Sequence, residues 1–250
     1  MANLENKVAI VTGASSGIGK AVALLYAKEG ATVVIGGRDK VRNQQVVDEI
    51  AANGGKAFFV QTDVSIPADC KRLVSETMSR YHRLDIVCNN AGMALPLTHI
   101  SDVKIEDWQQ LINTNLNGTF YSMHYQIPAL LDSGGGSIVN MGSAASKVAY
   151  PGIGPYVASK HGMVGLTKAA ALEYATKGIR INCVGPAFID TPMLDVFITE
   201  EQKKQVAAMH PIGRMGRVEE VAELVLWLST DKASFVTGSY YGIDGGYLAQ

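Results

Sequence analysis

The sequence has little of what marks several large classes of protein. Its three cysteines, Cys70, Cys88 and Cys183, are far apart and odd in number, which argues against a disulfide framework or a zinc site. Lys plus Arg (22) and Asp plus Glu (23) nearly cancel, so no basic excess is available for nucleic acid. No apolar run approaches the roughly 20 residues that span a bilayer, and residues 1–13 lack a secretory-signal pattern. We therefore expect a cytoplasmic globular protein with no metal, nucleic-acid or membrane partner.

The chain of 250 residues does contain a regular alternation of short β-branched runs and longer helical patterns. Most of the runs are nearly continuous in apolar residues, which is typical of strands covered on both faces. Strand–helix–strand repetition predicts an α/β fold with a doubly wound, mainly parallel sheet and helices on both faces. With no repeat or Pro/Ser-rich linker, residues 1–250 are predicted to form a single domain. The predicted strands are 8–11, 32–35, 57–60, 84–87, 137–140 and 179–182, and the predicted helices are 17–29, 42–53, 68–81, 106–131, 156–177 and 218–228.

One segment, at about residues 187–211, interrupts this alternation between the sixth strand and the last helix. It is partly amphipathic, with Met193, Phe197 and Val206 among its apolar residues. Insertions of this length often cover a binding site, so a substrate-binding loop or lid is one interpretation. A pair of ordinary surface helices is the other.

A glycine-rich turn follows the first predicted strand and opens the first helix. Residues 12–19 read Thr-Gly-Ala-Ser-Ser-Gly-Ile-Gly, so the glycines are Gly13, Gly17 and Gly19. Glycines at a strand–helix junction allow a tight turn and a close approach to a pyrophosphate, which the free N–H groups of the helix then bind. A phosphate-binding P-loop does not fit, because Ala21 stands where Ser or Thr would bind magnesium. The turn therefore predicts a dinucleotide-binding site.

The end of the second strand, about 20 residues further on, is where such folds usually read the adenine ribose. An acidic side chain there accepts hydrogen bonds from the 2′-hydroxyl, whereas this chain has Gly37 followed by Arg38. A guanidinium suits a 2′-phosphate, so NADP(H) is favoured. NAD(H) stays the alternative, since Arg38 can also stack on adenine and the adjacent Asp39 can neutralise it.

Tyr156 and Lys160 lie four residues apart on one face of a predicted helix. An ammonium beside a phenol can poise it for proton transfer. Ser143, just past the fifth strand, is expected on the same rim of the sheet, where its hydroxyl can hydrogen-bond a carbonyl or alcohol oxygen. Asn115 lies inside the long helix before that strand, and a buried amide there often only braces backbone. Residues 89–92, Asn-Asn-Ala-Gly, end the fourth strand with small side chains that let a cofactor pass close.

Taken together, these residues closely resemble the short-chain dehydrogenase/reductase family along essentially the whole chain. The resemblance rests on residues 12–19, Asp63 with Val64, 89–92, Asn115, Ser143, Tyr156 with Lys160, Pro186, Thr191, and the sequence Ile-Asp-Gly-Gly at 243–246. It implies a seven-stranded Rossmann fold and a homotetramer. It also implies that Val221, Leu224, Leu228, Tyr240 and Tyr241 suit an interface, although they suit the core equally well.

The resemblance further implies a role for each site residue. Tyr156 is the expected acid/base, and Lys160 binds the nicotinamide ribose and assists Tyr156. Ser143 orients the substrate oxygen, and Asn115 holds a proton-relay water. One departure is Ala187, where the family usually has Gly, and its methyl group narrows the space beside the nicotinamide. The expected cofactor-binding residues are Gly13, Ser15, Ser16, Ile18, Gly19, Arg38, Asp63, Val64, Asn90, Ala91, Gly92, Tyr156, Lys160, Pro186, Ile189 and Thr191.

The resulting hypothesis is an oxidoreductase that transfers a hydride reversibly between NADP(H) and a ketone or secondary alcohol. A 3-oxoacyl-[acyl-carrier-protein] reductase is the alternative within this class. Such an enzyme needs a basic patch to dock its acidic carrier. Arg214 and Arg217 could form one, but Glu219 and Glu220 follow at once, so the patch is weak. A non-catalytic dinucleotide-binding protein is the alternative from another class, although such a protein is expected to have lost Tyr156 or Lys160.

Overall fold

The computed structural model describes residues 3–250, so the first two residues of the predicted domain 1–250 lie outside the described residues. Seven strands form one parallel sheet in the order β3-β2-β1-β4-β5-β6-β7. The predicted α/β Rossmann fold is confirmed, and the sheet is parallel at every pairing. The strands are β1 (Val8–Thr12), β2 (Thr32–Gly37), β3 (Lys56–Gln61), β4 (Ile86–Asn89), β5 (Gly136–Met141), β6 (Ile179–Pro186) and β7 (Tyr240–Ile243).

Helices cover both faces of the sheet, as the crossover connections require. Alternate residues of β1 serve the two faces: Ala9 and Val11 pack into one apolar cluster with Val22 of the first helix, and Val8 and Ile10 pack into the other. Burial on both sides explains why β1 is apolar at nearly every position. The helices are α1 (Gly17–Lys28), α2 (Lys40–Ala52), α3 (Pro67–Tyr81), α4 (Ile105–Ile112), α5 (Gly118–Asp132), α6 (Gly154–Tyr174), α7 (Pro192–Asp195), α8 (Glu200–Ala208) and α9 (Val218–Ser229).

Two element predictions differ from the structure. The fourth strand was predicted at residues 84–87 but spans Ile86–Asn89. Leu84 is fully buried although it lies before the strand, and its N–H donates to the Ser133 hydroxyl at 2.9 Å. An apolar residue there therefore did not mark the start of the strand. The helix predicted at 106–131 is present, but a π-helical turn at Asn113–Asn117 separates α4 from α5.

The residues suggested for either an interface or the core are mainly core in this chain. Val221 and Leu228 of α9 are fully buried against α1 and the sheet, and Leu224 and Tyr241 pack against the same cluster while partly buried. The cysteines Cys70, Cys88 and Cys183 are buried free thiols. Burial raises the pKa of Cys88 to about 12, so its thiol stays protonated.

Candidate active site

Two adjoining cavities, of about 910 and 390 Å³, open at the carboxyl ends of the strands. Ile18, Asn90, Gly92, Thr191 and Met193 line both. All but one of the predicted site residues line one cavity or the other, although they come from positions 13 to 191 of the chain. The exception is Asn115. The smaller cavity holds Gly13, Ser15, Ser16, Gly19, Arg38, Asp63, Val64 and Ala91, and the larger holds Ser143, Tyr156, Lys160, Pro186 and Ile189.

The glycine turn brings two backbone segments together beside the smaller cavity. Gly13 has φ +69°, and a Cβ there would lie 2.8 Å from the Cα of Ala91. Asn90 Nδ2 donates to the carbonyls of Thr12 (3.0 Å) and Gly13 (3.1 Å), which ties the end of β4 to the turn. Ser16 precedes α1 without a side-chain capping bond, so the first N–H groups of this helix are not capped by their own chain. This cradle fits a pyrophosphate at a helix N-terminus.

Charged side chains line the far end of the smaller cavity. Arg38 is 67% exposed and pairs only weakly with Asp63, at 4.0 Å. Asp39 accepts the Arg42 N–H at 3.0 Å as the N-cap of α2, and it also pairs with the Arg42 guanidinium at 3.5 Å. Arg42 lines this cavity beside Arg38 and was missed by the sequence analysis. Its position in the first turn of a helix capped by Asp39 is the signal that would have revealed it.

The space above Gly37 is filled rather than open. A Cβ at Gly37 would lie 2.6 Å from Nδ2 of Asn43, which is almost fully buried and donates to the Asp39 carbonyl at 2.6 Å. Glycine at 37 therefore makes room for Asn43 of α2. Gly37 itself still lines the smaller cavity.

In the larger cavity, α6 places Tyr156 and Lys160 on one wall. Lys160 is only 4% exposed, and its Nζ donates to the Met141 carbonyl at the end of β5, at 2.6 Å. This bond fixes the ammonium 5.5 Å from the centroid of the Tyr156 ring. The ammonium and the phenol therefore lie close together on the same cavity wall.

Ser143 follows β5 and caps a short 3₁₀ turn at Ala144–Ser146. Its Oγ accepts the Ala145 N–H at 3.1 Å, and its own N–H donates to the Ser146 hydroxyl at 3.2 Å. Because the hydroxyl oxygen accepts within the turn, its hydrogen is left to donate. The turn thus holds a hydroxyl donor on the same cavity as Tyr156.

Asn115 lies in the π-helical turn and is fully buried. Its side chain accepts the Met93 N–H at 2.8 Å and donates to the Met93 carbonyl at 2.9 Å, with a longer contact to Ser159 Oγ at 3.4 Å. Asn115 therefore braces the cavity-lining segment at Met93 against α6. This is the backbone role that the sequence left open as an alternative.

The wall of the larger cavity is largely apolar. Of the lining residues, Lys160 and Asp107 are the charged ones. Segment 187–211 folds as α7 and α8, and its first half contributes Met193, Leu194 and Phe197 to the wall. The sequence analysis missed the opposite wall, which has no motif: Met93, Ala94, Leu95, Pro96, Leu97, Thr98, Val103 and Leu111.

An aromatic cluster closes the cavity beneath this segment. Tyr150 and Phe188 line the cavity, and behind them His210 and Tyr247 pack with ring centroids 5.5–6.4 Å apart. Burial raises the pKa of Tyr150 well above its usual range, so its hydroxyl stays neutral. The cluster gives this end of the cavity an aromatic wall.

Two other features are absent from residues 3–250, the part of the chain that the structure describes. No group of three or more His, Cys, Asp or Glu side chains is placed to hold a metal ion. Within the same residues, no helix has the length and apolarity to cross a membrane.

Comparisons with known proteins identify what the chain is similar to. Residues 13–248 match a family model described as enoyl-(acyl carrier protein) reductase. A cyclohexanol dehydrogenase from Acinetobacter sp. (strain SE19) is 49% identical over 98% of this chain and 96% of its own. The 3-oxoacyl-[acyl-carrier-protein] reductase of Thermotoga maritima is 40% identical over 98% of this chain and 99% of its own. The structure of a putative NAD(P)-dependent gluconate 5-dehydrogenase from Beutenbergia cavernae, with NADP bound at low occupancy, superposes with a TM-score of 0.93 at 33% identity, covering 99% of each chain.

The chain therefore belongs to the short-chain dehydrogenase/reductase family, as the sequence motifs predicted. It is an oxidoreductase that transfers a hydride reversibly between a nicotinamide dinucleotide and a ketone or secondary alcohol.

Proposed function

We propose that this enzyme is an NADP(H)-dependent reductase and dehydrogenase of uncharged, mainly apolar ketones and secondary alcohols, with cyclic ones as the best fit. The observation that carries this proposal is the larger cavity. One wall carries the Ser143 hydroxyl, Tyr156 and the buried Lys160 ammonium, and the rest of the lining is mainly apolar, with Asp107 as its charged exception. Polar groups concentrated at one point suit a substrate with one reacting oxygen.

In the proposed mechanism, Tyr156 and Ser143 act on the substrate oxygen, and Lys160 acts on Tyr156. Tyr156 gives a proton to the oxygen in reduction and takes it back in oxidation. Ser143 donates a hydrogen bond to the same oxygen and stabilises its developing charge. Lys160, held by the Met141 carbonyl, stabilises the charge left on Tyr156. Asn115 keeps the Met93 segment in place and, as the resemblance implies, holds a proton-relay water.

The smaller cavity and the inner end of the larger one would hold the cofactor, which supplies or accepts the hydride when bound. Gly13, Ser15, Ser16, Ile18 and Gly19 would bind the pyrophosphate at the start of α1. Asp63 and Val64 would face the adenine, and Asn90, Ala91 and Gly92 would lie along a ribose. Pro186, Ile189 and Thr191 would line the nicotinamide end. Tyr156 and Lys160 belong to both sets.

NADP(H) is preferred over NAD(H) in this proposal because two guanidiniums, Arg38 and Arg42, line the smaller cavity. Asp39 is engaged by the N–H and guanidinium of Arg42, so its charge is partly compensated. Arg38, by contrast, is exposed and only weakly paired. A free guanidinium is suited to a phosphate.

For the substrate, similarity to the Acinetobacter cyclohexanol dehydrogenase supports an alicyclic ring. Ala187, with its methyl group on the cavity wall, favours compact rings over bulky ones. Segment 187–211 is proposed to act as a lid of this one domain, since Met193, Leu194 and Phe197 form part of the substrate wall. The enzyme is proposed to work as a cytoplasmic homotetramer.

The reductase of acyl-carrier-protein substrates is the second candidate, because both the family model and the Thermotoga relative carry that description. An acidic carrier needs free cations near the cavity mouth. Arg214, however, forms a bidentate salt bridge with Glu220, with N–O distances of 2.6 and 2.9 Å. Glu220 also accepts the backbone N–H of Arg217 at 2.8 Å. Pairing of Arg214 with Glu220 leaves Arg217 as the exposed cation of this group, which favours free small molecules over a carrier-bound substrate.

The test is the Tyr156→Phe variant, assayed with NADPH and NADH against cyclohexanone, aryl ketones and a 3-oxo ester. Among these substrates, the wild-type enzyme is expected to reduce the cyclic ketone fastest, and faster with NADPH than with NADH. The variant should lose at least about 10²–10⁴-fold in kcat, as expected for removal of a positioned acid. Its affinity for NADPH should persist.

Unchanged turnover in Tyr156→Phe would overturn the mechanism. Binding of NADPH without turnover of any ketone by the wild type would support a non-catalytic dinucleotide-binding protein instead. Preference for the 3-oxo ester in its carrier-bound form would support the carrier-protein reductase.

A further inference from the structure

Tyr240 lies on β7, the edge strand of the sheet, and reaches across β6 to the turn that carries Ser143. Its hydroxyl donates to the Ser143 carbonyl at 2.9 Å, a contact between residues 97 positions apart. Tyr240 does not line the substrate cavity, whereas Ser143 does. The phenol therefore contacts the Ser143 backbone from outside the cavity.

The crossing depends on a missing side chain in β6. Gly185 pairs with Gly242 in the β6–β7 ladder, and the Tyr240 ring passes directly over Gly185. A Cβ at Gly185 would overlap the ring and hydroxyl of Tyr240. The absence of a side chain at Gly185 thus lets the Tyr240 hydroxyl reach the Ser143 turn from the edge strand.

This bond completes the immobilisation of the Ser143 backbone. The Ser143 carbonyl also accepts the Ser146 N–H at 2.9 Å, and the Ser143 N–H donates to Ser146 Oγ at 3.2 Å. Both of these bonds come from within the same turn. Among the hydrogen bonds of Ser143 itself, the one from Tyr240 comes from a distant strand, while the preceding Gly142 N–H donates to the Val184 carbonyl of β6 at 2.7 Å.

The Tyr240 hydroxyl is also kept in its donor form. Burial, together with the nearby Cys183 and Asp244, raises the pKa of Tyr240 well above its usual range. The Lys147 ammonium lies 4.9 Å from the centroid of the ring, on the same turn that Tyr240 supports. A cation over an aromatic face adds a second, weaker attachment.

We infer that Tyr240 is a positioning residue for catalysis: through the Ser143 carbonyl it fixes where the Ser143 hydroxyl meets the substrate oxygen, and Gly185 is required because it admits Tyr240. This inference rests on the proposed role of Ser143. Small displacements of a catalytic group reduce rate more than substrate binding, so the effect is expected in kcat.

The experiment is a double-mutant cycle with Tyr240→Phe and Ser143→Ala. Tyr240→Phe keeps the ring over Gly185 and removes the hydroxyl. We expect kcat to fall roughly three- to tenfold with KM changed by less than about twofold. In the Ser143→Ala background the same substitution should have no further effect, because the two residues act through one group. Rates are taken per mole of bound NADPH, so that partial unfolding does not enter the comparison.

Two further variants make the test specific. Gly185→Ala displaces the phenol without changing its chemistry, and its loss of kcat should likewise disappear in the Ser143→Ala background. Tyr241→Phe is the matched control, because the Tyr241 ring packs against Trp227 of α9 instead, and its kcat should stay at the wild-type value.

The outcomes separate the two hypotheses. If Ser143→Ala alone leaves kcat unchanged, the proposed role of Ser143 fails. If Ser143→Ala lowers kcat but Tyr240→Phe does not, or if Tyr240→Phe lowers kcat equally in both backgrounds, only the positioning role of Tyr240 is overturned.

Discussion

At the amino-terminal ends of β1 and β4, the buried carboxylate of Asp85 accepts the Val8 N–H at 2.9 Å and two Arg83 donors at 2.6 and 2.8 Å. At the carboxyl ends of the same strands, Thr12 and Asn90 use their hydrogen bonds to hold a glycine turn open around a cavity. The Asp85 carboxylate at one end is satisfied within the chain, whereas at the other end the N-terminus of α1 has no side-chain cap. The difference separates residues that stabilise the fold from residues that bind and react.

The largest effect on the amino-terminal end is expected from Asp85→Ala. The Val8 N–H then loses its acceptor in a buried strand. Arg83 and Lys7, which are 42% and 41% exposed, can return to water. We expect the free energy of unfolding to fall by about 1–3 kcal/mol, measured by urea denaturation. The kcat of the folded enzyme should not change. A loss of kcat without a loss of stability would contradict this division between the two ends.

The same variant predicts a pH dependence. Burial alone would raise the pKa of Asp85, but the hydrogen bonds from Arg83 and Val8 outweigh it and hold the pKa below its usual range. A lowered folded-state pKa contributes stability above the unfolded value of about 3.9, and this contribution is lost as pH falls through the folded value. The stability difference between wild type and Asp85→Ala should therefore be constant near neutral pH and shrink below about pH 4. A difference that grows on acidification would contradict the assignment.

At the carboxyl-terminal end, Arg38→Ala is expected to have an intermediate effect on cofactor binding and none on stability. Loss of a charge-assisted contact to a 2′-phosphate should weaken the binding of NADPH about ten- to hundredfold and the binding of NADH by less than about twofold. Fluorescence titration with both cofactors measures this selectivity. Lys40→Ala removes a neighbouring charge that does not line the cavity and serves as the control. Equal weakening of NADPH and NADH would reject the proposed phosphate contact.

The smallest effect is expected in segment 187–211, the proposed lid. Lys203 of α8 pairs with Asp195 (2.5 Å), Glu200 (2.9 Å) and Asp190 (3.6 Å). These exposed carboxylates lie close in sequence to Met193, Leu194 and Phe197, which line the larger cavity. Lys203→Met leaves three like charges together, so KM should rise about two- to threefold at low salt with kcat little changed.

Lys204→Met, on the same helix but paired only with Glu201, is the matched control and should behave like wild type. Because salt screens exposed ion pairs, about 1 M NaCl should bring wild-type KM toward the Lys203→Met value. An unchanged KM in Lys203→Met would show that the pairing does not hold the lid.

The contrast between the two ends also explains how much the sequence could predict. The glycine turn, Ser143, Tyr156 and Lys160 follow strand ends, and parallel strands bring those ends to one edge, so spacing alone placed them together. The sheet itself was predicted because strands buried on both faces are apolar at nearly every position.

Contacts that depend on packing between distant elements were not predictable in this way. Tyr240 meets Ser143 only because Gly185 leaves a gap between them, and no spacing in the sequence encodes that crossing. Arg42 lines the smaller cavity from the first turn of α2, the helix that Asp39 caps. The wall at residues 93–98 has no regular secondary structure, so its apolar residues carried no periodic signal.

The π-helical turn at Asn113–Asn117 makes the number of residues in this helix as important as their identity. A regular α-helix advances about 100° per residue, so one residue more or fewer turns everything beyond it by that angle. With the extra residue absorbed in the wide turn, α4 and α5 present independent faces, and Asn115 points at Met93. A single-residue deletion here would leave the composition of the helix almost unchanged and still rotate one half of it against the other. The number of residues in this helix therefore decides whether the Asn115 amide faces Met93.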